Sequence, residues 1–299
     1  MNHAADQPLR LLCATDGSAH AEAGLQLVAA LARRGVALHA VVLNVQRPVM
    51  SGEVGVVAPA SIASEQRHRG ADRVLEAASR QLGAAAVAHE CLEEIDDPAA
   101  AIVACAARRG CDAIVVGSRG RGRVRGALMG SVSSQVVRRT DRPVFVVGPG
   151  ADALPEGPLR ILAATDGSEA ALRAIRFAAR LASALAGSEI LLVHVQTPLS
   201  VGGALLGPRE RLIEHWSAKQ AEAGFRAIRE TLGKDVAAIT TSVVQEHAAA
   251  SAIVRLARES ACGLVAMGTR GRSPVVSLLL GSVAQDVLRH ARLPVLLSH

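Results

Sequence analysis

Two glycine-rich segments contain the residues of this chain that are best suited to hold an anion. One runs from Gly117 to Ser131 and the other from Gly268 to Ser282, and both have the spacing Gly-x2-Gly-x9-Gly-Ser. Each follows a short apolar run typical of a buried strand and precedes a helical pattern. A glycine loop between a strand and a helix presents backbone N–H groups to a phosphate. The spacing therefore predicts a phosphate-binding loop in each half of the chain.

Two aspartates form a second pair of candidates, because each ends an apolar run near the start of its half. Asp16 and Asp166 are 150 positions apart, and Gly117 and Gly268 are 151 positions apart. A carboxylate accepts hydrogen bonds, which suits it to a ribose hydroxyl or an amine. Solenoid repeats have roughly 20–50 residues, so a repeat of this length is a whole domain.

The repeat predicts two domains of the same fold. We expect an N-terminal domain over 1–148, a Gly- and Pro-rich linker over 149–158 and a C-terminal domain over 159–299. Strand patterns alternate with helical patterns in each, which predicts an α/β fold: two tandem, doubly wound, five-stranded parallel sheets that are Rossmann-like, with strand order 3-2-1-4-5. In that order the first and fourth strands are neighbours, and ligands bind beyond their carboxyl ends. Asp16 and Gly117 are therefore predicted to meet.

Local patterns also predict the spans of individual elements. In the first half, a helix is expected over Ser131–Arg139. The glycine loop ends directly before it, and apolar residues with a helical period begin there. The third strand is expected over Ala86–Leu92.

The composition favours an aliphatic core and a small anionic ligand. Half of the chain is apolar, whereas it contains only three Phe, one Trp and no Tyr. Exposed aromatic residues on which nucleic-acid bases stack are therefore not expected. The net charge of +6 leaves nucleic-acid binding as an alternative, which would show a steep salt dependence. We attribute the charge instead to arginines on helix surfaces and in one loop.

The five cysteines predict reduced thiols rather than disulfides or metal ligands. Their number is odd, and no Cys-x-x-Cys pair or Cys/His ligand spacing occurs. Cys13, Cys111 and Cys262 lie in or beside strand patterns, where a thiol usually packs as a small hydrophobic group. The first residues have no signal-peptide pattern, and no apolar stretch reaches the roughly 18 residues of a membrane span. We therefore expect a cytoplasmic protein without a membrane partner.

Together these residues closely resemble the universal stress protein (UspA) family in its tandem two-domain form, whose fold is adenine nucleotide alpha hydrolase-like. The resemblance covers nearly all of the chain, and the Gly-x2-Gly-x9-Gly-Ser spacing is typical of the ATP-binding branch of that family. It implies that ATP or ADP is the ligand, that Mg or Mn can accompany the phosphates, and that the protein has a regulatory role in the stress response.

The resemblance also implies roles for matching positions. The strand-1 aspartates, Asp16 and Asp166, would contact the adenosine end of the nucleotide. Val45 and Val195, at the ends of the second strands, would offer backbone atoms to the adenine. The implied ribose- and phosphate-binding segments contain Gly117, Arg119, Gly120, Gly130, Ser131 and Val132 in the first half, and Gly268, Arg270, Gly271, Gly281, Ser282 and Val283 in the second.

The same residues have a purely structural interpretation. The glycines could form tight turns without a ligand, and each aspartate could cap the helix that follows it. Two complete glycine patterns, each combined with an aspartate at the end of a first strand, favour binding over turns alone. Capping and ligand contact do not exclude each other.

No residues typical of a catalytic site stand out. A Walker loop and a nucleophile elbow are missing, and no metal-ligand spacing occurs. His194 lies in a strand where the other half has Asn44, and His247 follows a strand, so we expect structural or surface roles for both. We therefore predict a regulatory ATP-binding protein, with a slow ATPase and a nucleotide-free scaffold for protein contacts as alternatives. The sequence does not identify the protein that it regulates.

The fifth strands predict how the domains assemble. Residues 144–147 and 295–297 are apolar, and each lies at the edge of its predicted sheet. Unprotected strand edges invite pairing. The resemblance implies that the two edges pair, which would make the chain an intrachain pseudo-dimer. A homodimer of two chains is left open.

Overall fold

The structure is a computed structural model that contains two compact units, Met1–Ala151 and Asp152–His299. It describes residues 7–48, 60–120, 129–151, 154–196, 221–230, 232, 238–270 and 280–299, without the side chains of 60–67. Within these residues, none of the helices combines the length and the apolar character needed to cross a membrane. The linker predicted over 149–158 stays a prediction.

The first unit is a doubly wound parallel sheet. Its strand order is β3-β2-β1-β4-β5, and each described neighbouring pair is parallel. Its elements are β1 (Leu9–Ala14), α1 (Ala19–Arg33), β2 (Leu38–Gln46), α2 (Ala60–Gly83), β3 (Ala88–Ile95), α3 (Pro98–Arg108), β4 (Ala113–Gly117), α4 (Ser131–Arg139) and β5 (Val144–Val147).

The second unit repeats this topology, with strand order β8-β7-β6-β9-β10 and parallel neighbours. The predicted fold class and the order 3-2-1-4-5 are therefore confirmed for both units. Its elements are β6 (Arg160–Ala164), α5 (Glu169–Ser183), β7 (Glu189–Gln196), α6 (which includes 221–230), β8 (Ala238–Gln245), α7 (Ala249–Glu259), β9 (Leu264–Gly268), α8 (Ser282–His290) and β10 (Val295–Ser298).

The inner strands form because their side chains are apolar on both faces of the sheet. Leu12 of β1, Val42 of β2 and Ile114 of β4 are completely buried. A parallel sheet that helices cover on both faces requires such continuous apolar runs. The side chains of Ser18 and Asp97 cap α1 and α3 by accepting hydrogen bonds from backbone N–H groups, which fixes where these helices begin.

The edge strand β3 is longer than the sequence predicts. It ends at Ile95 rather than at Leu92, because β2 continues to Gln46 and pairs with it to the end. An edge strand is partly exposed, so acidic side chains can point to solvent without desolvation. Glu94 forms an ion pair with Arg108 of α3 there. The prediction that the third strand ends at Leu92 is therefore wrong.

All five cysteines are free thiols, and four of them are buried. Burial raises the pKa of Cys13 to about 12 and that of Cys111 and Cys262 to about 11 each. A buried thiol with a raised pKa stays protonated and is chemically inert. The interpretation of these three as small core residues is confirmed.

Candidate functional site

The carboxyl ends of β1, β2 and β4 surround a cavity of about 590 Å³ in the first unit. This volume lies in the range of small-molecule and cofactor sites, roughly 300–1,000 Å³. All the site residues predicted for the first half line it, namely Asp16, Val45, Gly117, Arg119, Gly120, Gly130, Ser131 and Val132. Asp16 and the glycine loop, which are about a hundred residues apart in the sequence, thus lie at the same carboxyl edge of the sheet, as predicted.

Several lining residues were not predicted from the sequence. Leu43, Ile102 and Met129 give the cavity an apolar wall, and the exposed Arg47 adds a cation directly after β2. The rule that placed Asp16 at the carboxyl edge of the sheet applies equally to Arg47. It was missed because it falls in the segment that the sequence marks as a loop.

Asp16 and Gly120 are in direct contact. The Oδ1 atom of Asp16 accepts a hydrogen bond from the backbone N–H of Ser18 at 3.0 Å, which turns the chain from β1 into α1. A Cβ atom on Gly120 would lie only 2.7 Å from the other carboxylate oxygen, Oδ2. A side chain at position 120 would therefore displace the Asp16 carboxylate, whose Oδ2 lies against the glycine loop.

A backbone hydrogen bond closes the neck of the glycine loop. The N–H of Gly130 donates to the carbonyl of Ser118 at 2.8 Å, so the start and the end of the loop meet. A Cβ atom on Gly130 would lie 3.2 Å from the Cα of Arg119. In the second unit, the N–H of Gly281 donates to the carbonyl of Thr269 at the same distance of 2.8 Å.

Helix α4 begins at this neck with its first N–H groups uncapped. Its N-cap is Gly130, which has no side chain to accept a hydrogen bond, whereas Ser18 and Asp97 cap α1 and α3. The hydroxyl of Ser133 holds the helix by donating to the carbonyl of Gly117 at 2.6 Å. Uncapped N–H groups and the helix dipole make this terminus attractive to an anion.

The second unit repeats most of these contacts. Asp166 Oδ1 accepts from the N–H of Ser168 at 3.0 Å, and α8 begins at Gly281 without a side-chain cap. The Ser168 hydroxyl donates to the carbonyl of Arg270 at 3.4 Å, which links the start of α5 to the glycine loop. Gly268 ends β9, Val195 is half-buried near the end of β7, and Ser282 and Val283 open α8 as exposed residues.

One predicted residue of the second site, Gly271, lies outside the described residues.

The two domains brace the end of their first strand with different side chains. Asn44 is buried, and its Nδ2 donates to the carbonyl of Thr15 at 2.7 Å. In the second unit, Nδ1 of His194 lies 2.8 Å from the carbonyl of Thr165. Because a carbonyl only accepts, His194 carries its proton on Nδ1. This hydrogen bond agrees with the structural role expected for His194. His247 is exposed, which agrees with a surface role.

His20 lies beside the cavity, on the first turn of α1. Its Nδ1 is 2.9 Å from the hydroxyl of Ser118. Its pKa lies below the ordinary value of 6.5, first because partial burial disfavours the charged ring and then because the Arg119 guanidinium is close. The carboxylate of Asp16 opposes this by attracting the protonated ring.

Charge substitutions around His20 should move its pKa in opposite directions. We expect Arg119→Gln to raise the pKa, since a positive neighbour is lost, and Asp16→Asn to lower it further, since a negative neighbour is lost. NMR titration of the imidazole C–H signals measures both. The variant His20→Ala assigns the His20 signal by removing it. A shift opposite to either expectation would contradict the geometry.

The sequence model of the universal stress protein family matches residues 9–148 and 159–299. The chain therefore belongs to the universal stress protein family and contains two tandem copies of its domain.

Known proteins agree with this assignment. A curated universal stress protein of Mycobacterium tuberculosis is 32% identical over 191 residues, which are 62% of this chain and 61% of that protein. The matched part thus spans about three fifths of the length of these curated relatives. The crystal structure of a universal stress protein from Archaeoglobus fulgidus is 23% identical, covers 97% of both chains and has a TM-score of 0.71.

A further solved family member, from Arabidopsis thaliana, has AMP bound. It is 20% identical, covers 50% of this chain and 97% of its own, and has a TM-score of 0.37.

Proposed function

We propose that this chain is an ATP-binding universal stress protein with a regulatory role in the stress response. One nucleotide would lie in each domain, between the strand-1 aspartate and the glycine loop. The observation that carries the proposal is the cavity of about 590 Å³ at which Asp16, the closed glycine loop and the uncapped start of α4 converge. ADP fits the same groups with one phosphate fewer.

The chemistry of the cavity suggests how ATP would be oriented. The phosphates would accept hydrogen bonds from the N–H groups of Ser131 and Val132 and would lie near the guanidinium of Arg119. A ribose hydroxyl would donate to Asp16. The adenine would lie on the apolar wall and meet the backbone of Val45.

A divalent metal would be held mainly by the phosphates themselves. Among the described residues, no group of three or more His, Cys, Asp or Glu side chains could hold a metal ion. Mg and Mn prefer oxygen ligands and commonly bind phosphates with only one or two carboxylates from the protein. Asp16 and Ser131 are among the lining residues whose side-chain oxygens could complete such a coordination.

No observation favours the slow ATPase over simple binding. The histidine nearest the cavity, His20, does not line it and is engaged with Ser118. A general base must reach the water that it activates, and among the described lining residues only Asp16 carries a titratable carboxylate or imidazole. The scaffold alternative leaves the cavity without a use, and nucleic-acid binding rests on net charge alone. If the wild type hydrolyses ATP and Asp16→Asn abolishes this hydrolysis, the slow-ATPase alternative would be favoured instead.

Location and assembly complete the proposal. Four earlier expectations stay predictions. They are the cytoplasmic location, the domain division at 149–158, the pairing of the fifth strands and a homodimer. ATP would act by binding one conformation or assembly more tightly than another, and so shift the population that an unidentified partner protein recognises.

Native mass spectrometry of the gently purified protein tests the proposal. We expect the mass to include up to two nucleotides after incubation with Mg-ATP, one for each domain. In the double variant Gly130→Ala/Gly281→Ala, we expect at least about tenfold weaker binding. The added Cβ atoms would lie 3.2 Å from the Cα of Arg119 and 3.2 Å from the carbonyl oxygen of Thr269, so each loop neck must shift.

The chain offers a matched control for this variant. Gly70 and Gly224 lie in helices, one in each domain, and a Cβ atom on either would meet nothing within 4 Å. The variant Gly70→Ala/Gly224→Ala should therefore bind ATP like the wild type. If Mg-ATP leaves the wild-type mass unchanged, the ATP proposal fails and the scaffold becomes the better interpretation.

A further inference from the structure

Both glycine loops begin with a hydroxyl residue that is hydrogen-bonded to an imidazole. In the first unit this residue is Ser118, whose Oγ lies 2.9 Å from Nδ1 of His20. In the second unit it is the buried Thr269, whose Oγ1 lies 2.9 Å from Nδ1 of His299. The two hydroxyls occupy equivalent positions, directly after the first glycine of each loop.

The two imidazoles come from different places in the fold. His20 is on the first turn of α1, and the equivalent position of the second unit is the buried Ala170. His299 directly follows β10, and the equivalent position of the first unit is Gly148, where a Cβ atom would lie 3.8 Å from the Ser118 hydroxyl. The same contact is therefore made twice by residues that are not equivalent, which a shared inherited position does not explain.

Each hydroxyl residue is also a junction of the backbone. The N–H of Ser118 donates to Val147 at the end of β5, at 2.7 Å, and its carbonyl accepts from Gly130 at 2.8 Å. Thr269 makes the corresponding bonds to Ser298 and Gly281, at 2.7 and 2.8 Å. An imidazole that holds this residue therefore holds the loop neck and the start of the following helix.

In the second unit, neighbouring groups fix the imidazole itself. Arg270 Nη2 lies 3.2 Å from Nδ1 of His299, and because a guanidinium only donates, Nδ1 is the acceptor. Arg173 of α5 donates to the backbone carbonyl of His299. The first long helix of each unit thus takes part, directly through His20 in α1 and indirectly through Arg173 in α5.

We propose that His20 and His299 are positioning residues that hold the necks of the two glycine loops, through Ser118 and Thr269, in the geometry that presents the start of the following helix to the nucleotide phosphates. The proposal rests on the proposed function for its ligand. Neither His20 nor Ser118 lines the cavity of the first domain, so both act through the loop. A loop that is ordered before binding loses less conformational freedom when the ligand arrives, which increases affinity.

The first test uses the full-length protein without ligand. We expect His20→Ala to increase the hydrogen-exchange rate of the Gly130 N–H, which closes the loop neck, by about fivefold. His299→Ala should do the same for the Gly281 N–H, while each variant leaves the other neck unchanged. His68→Ala is the control and should change neither. Unchanged exchange at both necks would overturn the proposal, whether or not ATP binds.

The second test measures ATP binding by calorimetry. We expect His20→Ala and Ser118→Ala each to weaken the first site by about fivefold, and the double variant to be no weaker than either single one. His20→Asn, whose amide can still reach the hydroxyl, should restore most of the affinity. Independent, additive losses would mean that the pair does not act as a unit. If His20→Ala speeds hydrogen exchange at the Gly130 N–H but the wild type does not bind ATP, the positioning role of His20 stands and ATP is rejected as the ligand.

Discussion

Replacing Asp16 with asparagine is expected to weaken ATP binding at the first site by about 10- to 100-fold, with little change in the stability of the fold. Asparagine keeps an oxygen at the Oδ1 position, so it can still accept from the N–H of Ser18 and preserve the turn into α1. It loses the charge of Oδ2, the oxygen that lies against the glycine loop. A hydrogen bond to a charged group contributes about 1.5–3 kcal/mol, which gives the expected range.

The sign of the effect separates the two roles open to Asp16. Ser18, and not Asp16, is the N-cap of α1, so the structural alternative for Asp16 is to hold the turn before the helix. A carboxylate close to a polyphosphate repels it, so an aspartate that only held this turn would weaken binding. Its neutralisation would then leave the affinity unchanged or increase it. Only an aspartate that accepts a hydrogen bond from the nucleotide makes asparagine weaker than the wild type.

Calorimetric titration with Mg-ATP measures the effect, and native mass spectrometry assigns it to a site. Asp16→Asn should leave one nucleotide bound, Asp166→Asn should leave the other, and the double variant should retain none at micromolar ATP. Asp97→Asn is the matched control, because Asp97 Oδ1 also accepts from a backbone N–H at the start of a helix, that of Ala100, and Asp97 does not line the cavity. Tighter binding by Asp16→Asn would contradict its role as a ligand.

Local patterns in the sequence were enough to predict the elements that surround the cavity. Helix α4 spans Ser131–Arg139 as predicted, because glycine ends the loop and the apolar period begins at once. Once strands and helices alternate, the strand order follows from topology, and Asp16 and Gly117 then share one edge of the sheet. The end of β3 could not be predicted from the local pattern, because an edge strand continues for as long as the neighbouring strand pairs with it.

Contacts between distant side chains could not be predicted in this way. His20 and Ser118 are separated by 98 positions, and nothing in the pattern around either residue indicates the other. The second domain makes the equivalent contact with His299, so a comparison of the two halves, residue by residue, conceals it. Such contacts depend on how far α1 and the glycine loop approach each other, which packing decides.

The same packing explains, independently of any ligand, why the first residue of each pattern is glycine. A Cβ atom on Gly117 would lie 2.6 Å from the backbone carbon of His20 and 2.8 Å from the backbone nitrogen of Ala21. Helix α1 therefore lies directly on the backbone at the end of β4. Gly268 has the equivalent contact with the nitrogen of Ala171, also at 2.8 Å.

Gly117→Ala is accordingly expected to destabilise the first domain by about 3 kcal/mol, the upper end of the usual cost of overpacking. The clash is with backbone, which cannot rotate away as a flexible side chain could. The strand cannot retreat either, because β4 is paired on both sides, with β1 and with β5. Helix α1 would have to move outward, and Ser18, His20 and the start of the glycine loop would move with it.

Urea unfolding of the full chain measures the loss, and hydrogen exchange along β4 and α1 locates it in the first domain. Gly70→Ala is the control in the same domain: it lies in α2 with open space around its Cβ position, so alanine should stabilise the protein by about 0.5–1 kcal/mol. If Gly117→Ala folds as stably as the wild type, then α1 is not tightly packed on β4. A variant that is destabilised, yet binds ATP normally once folded at low temperature, would separate packing from ligand contact at this glycine.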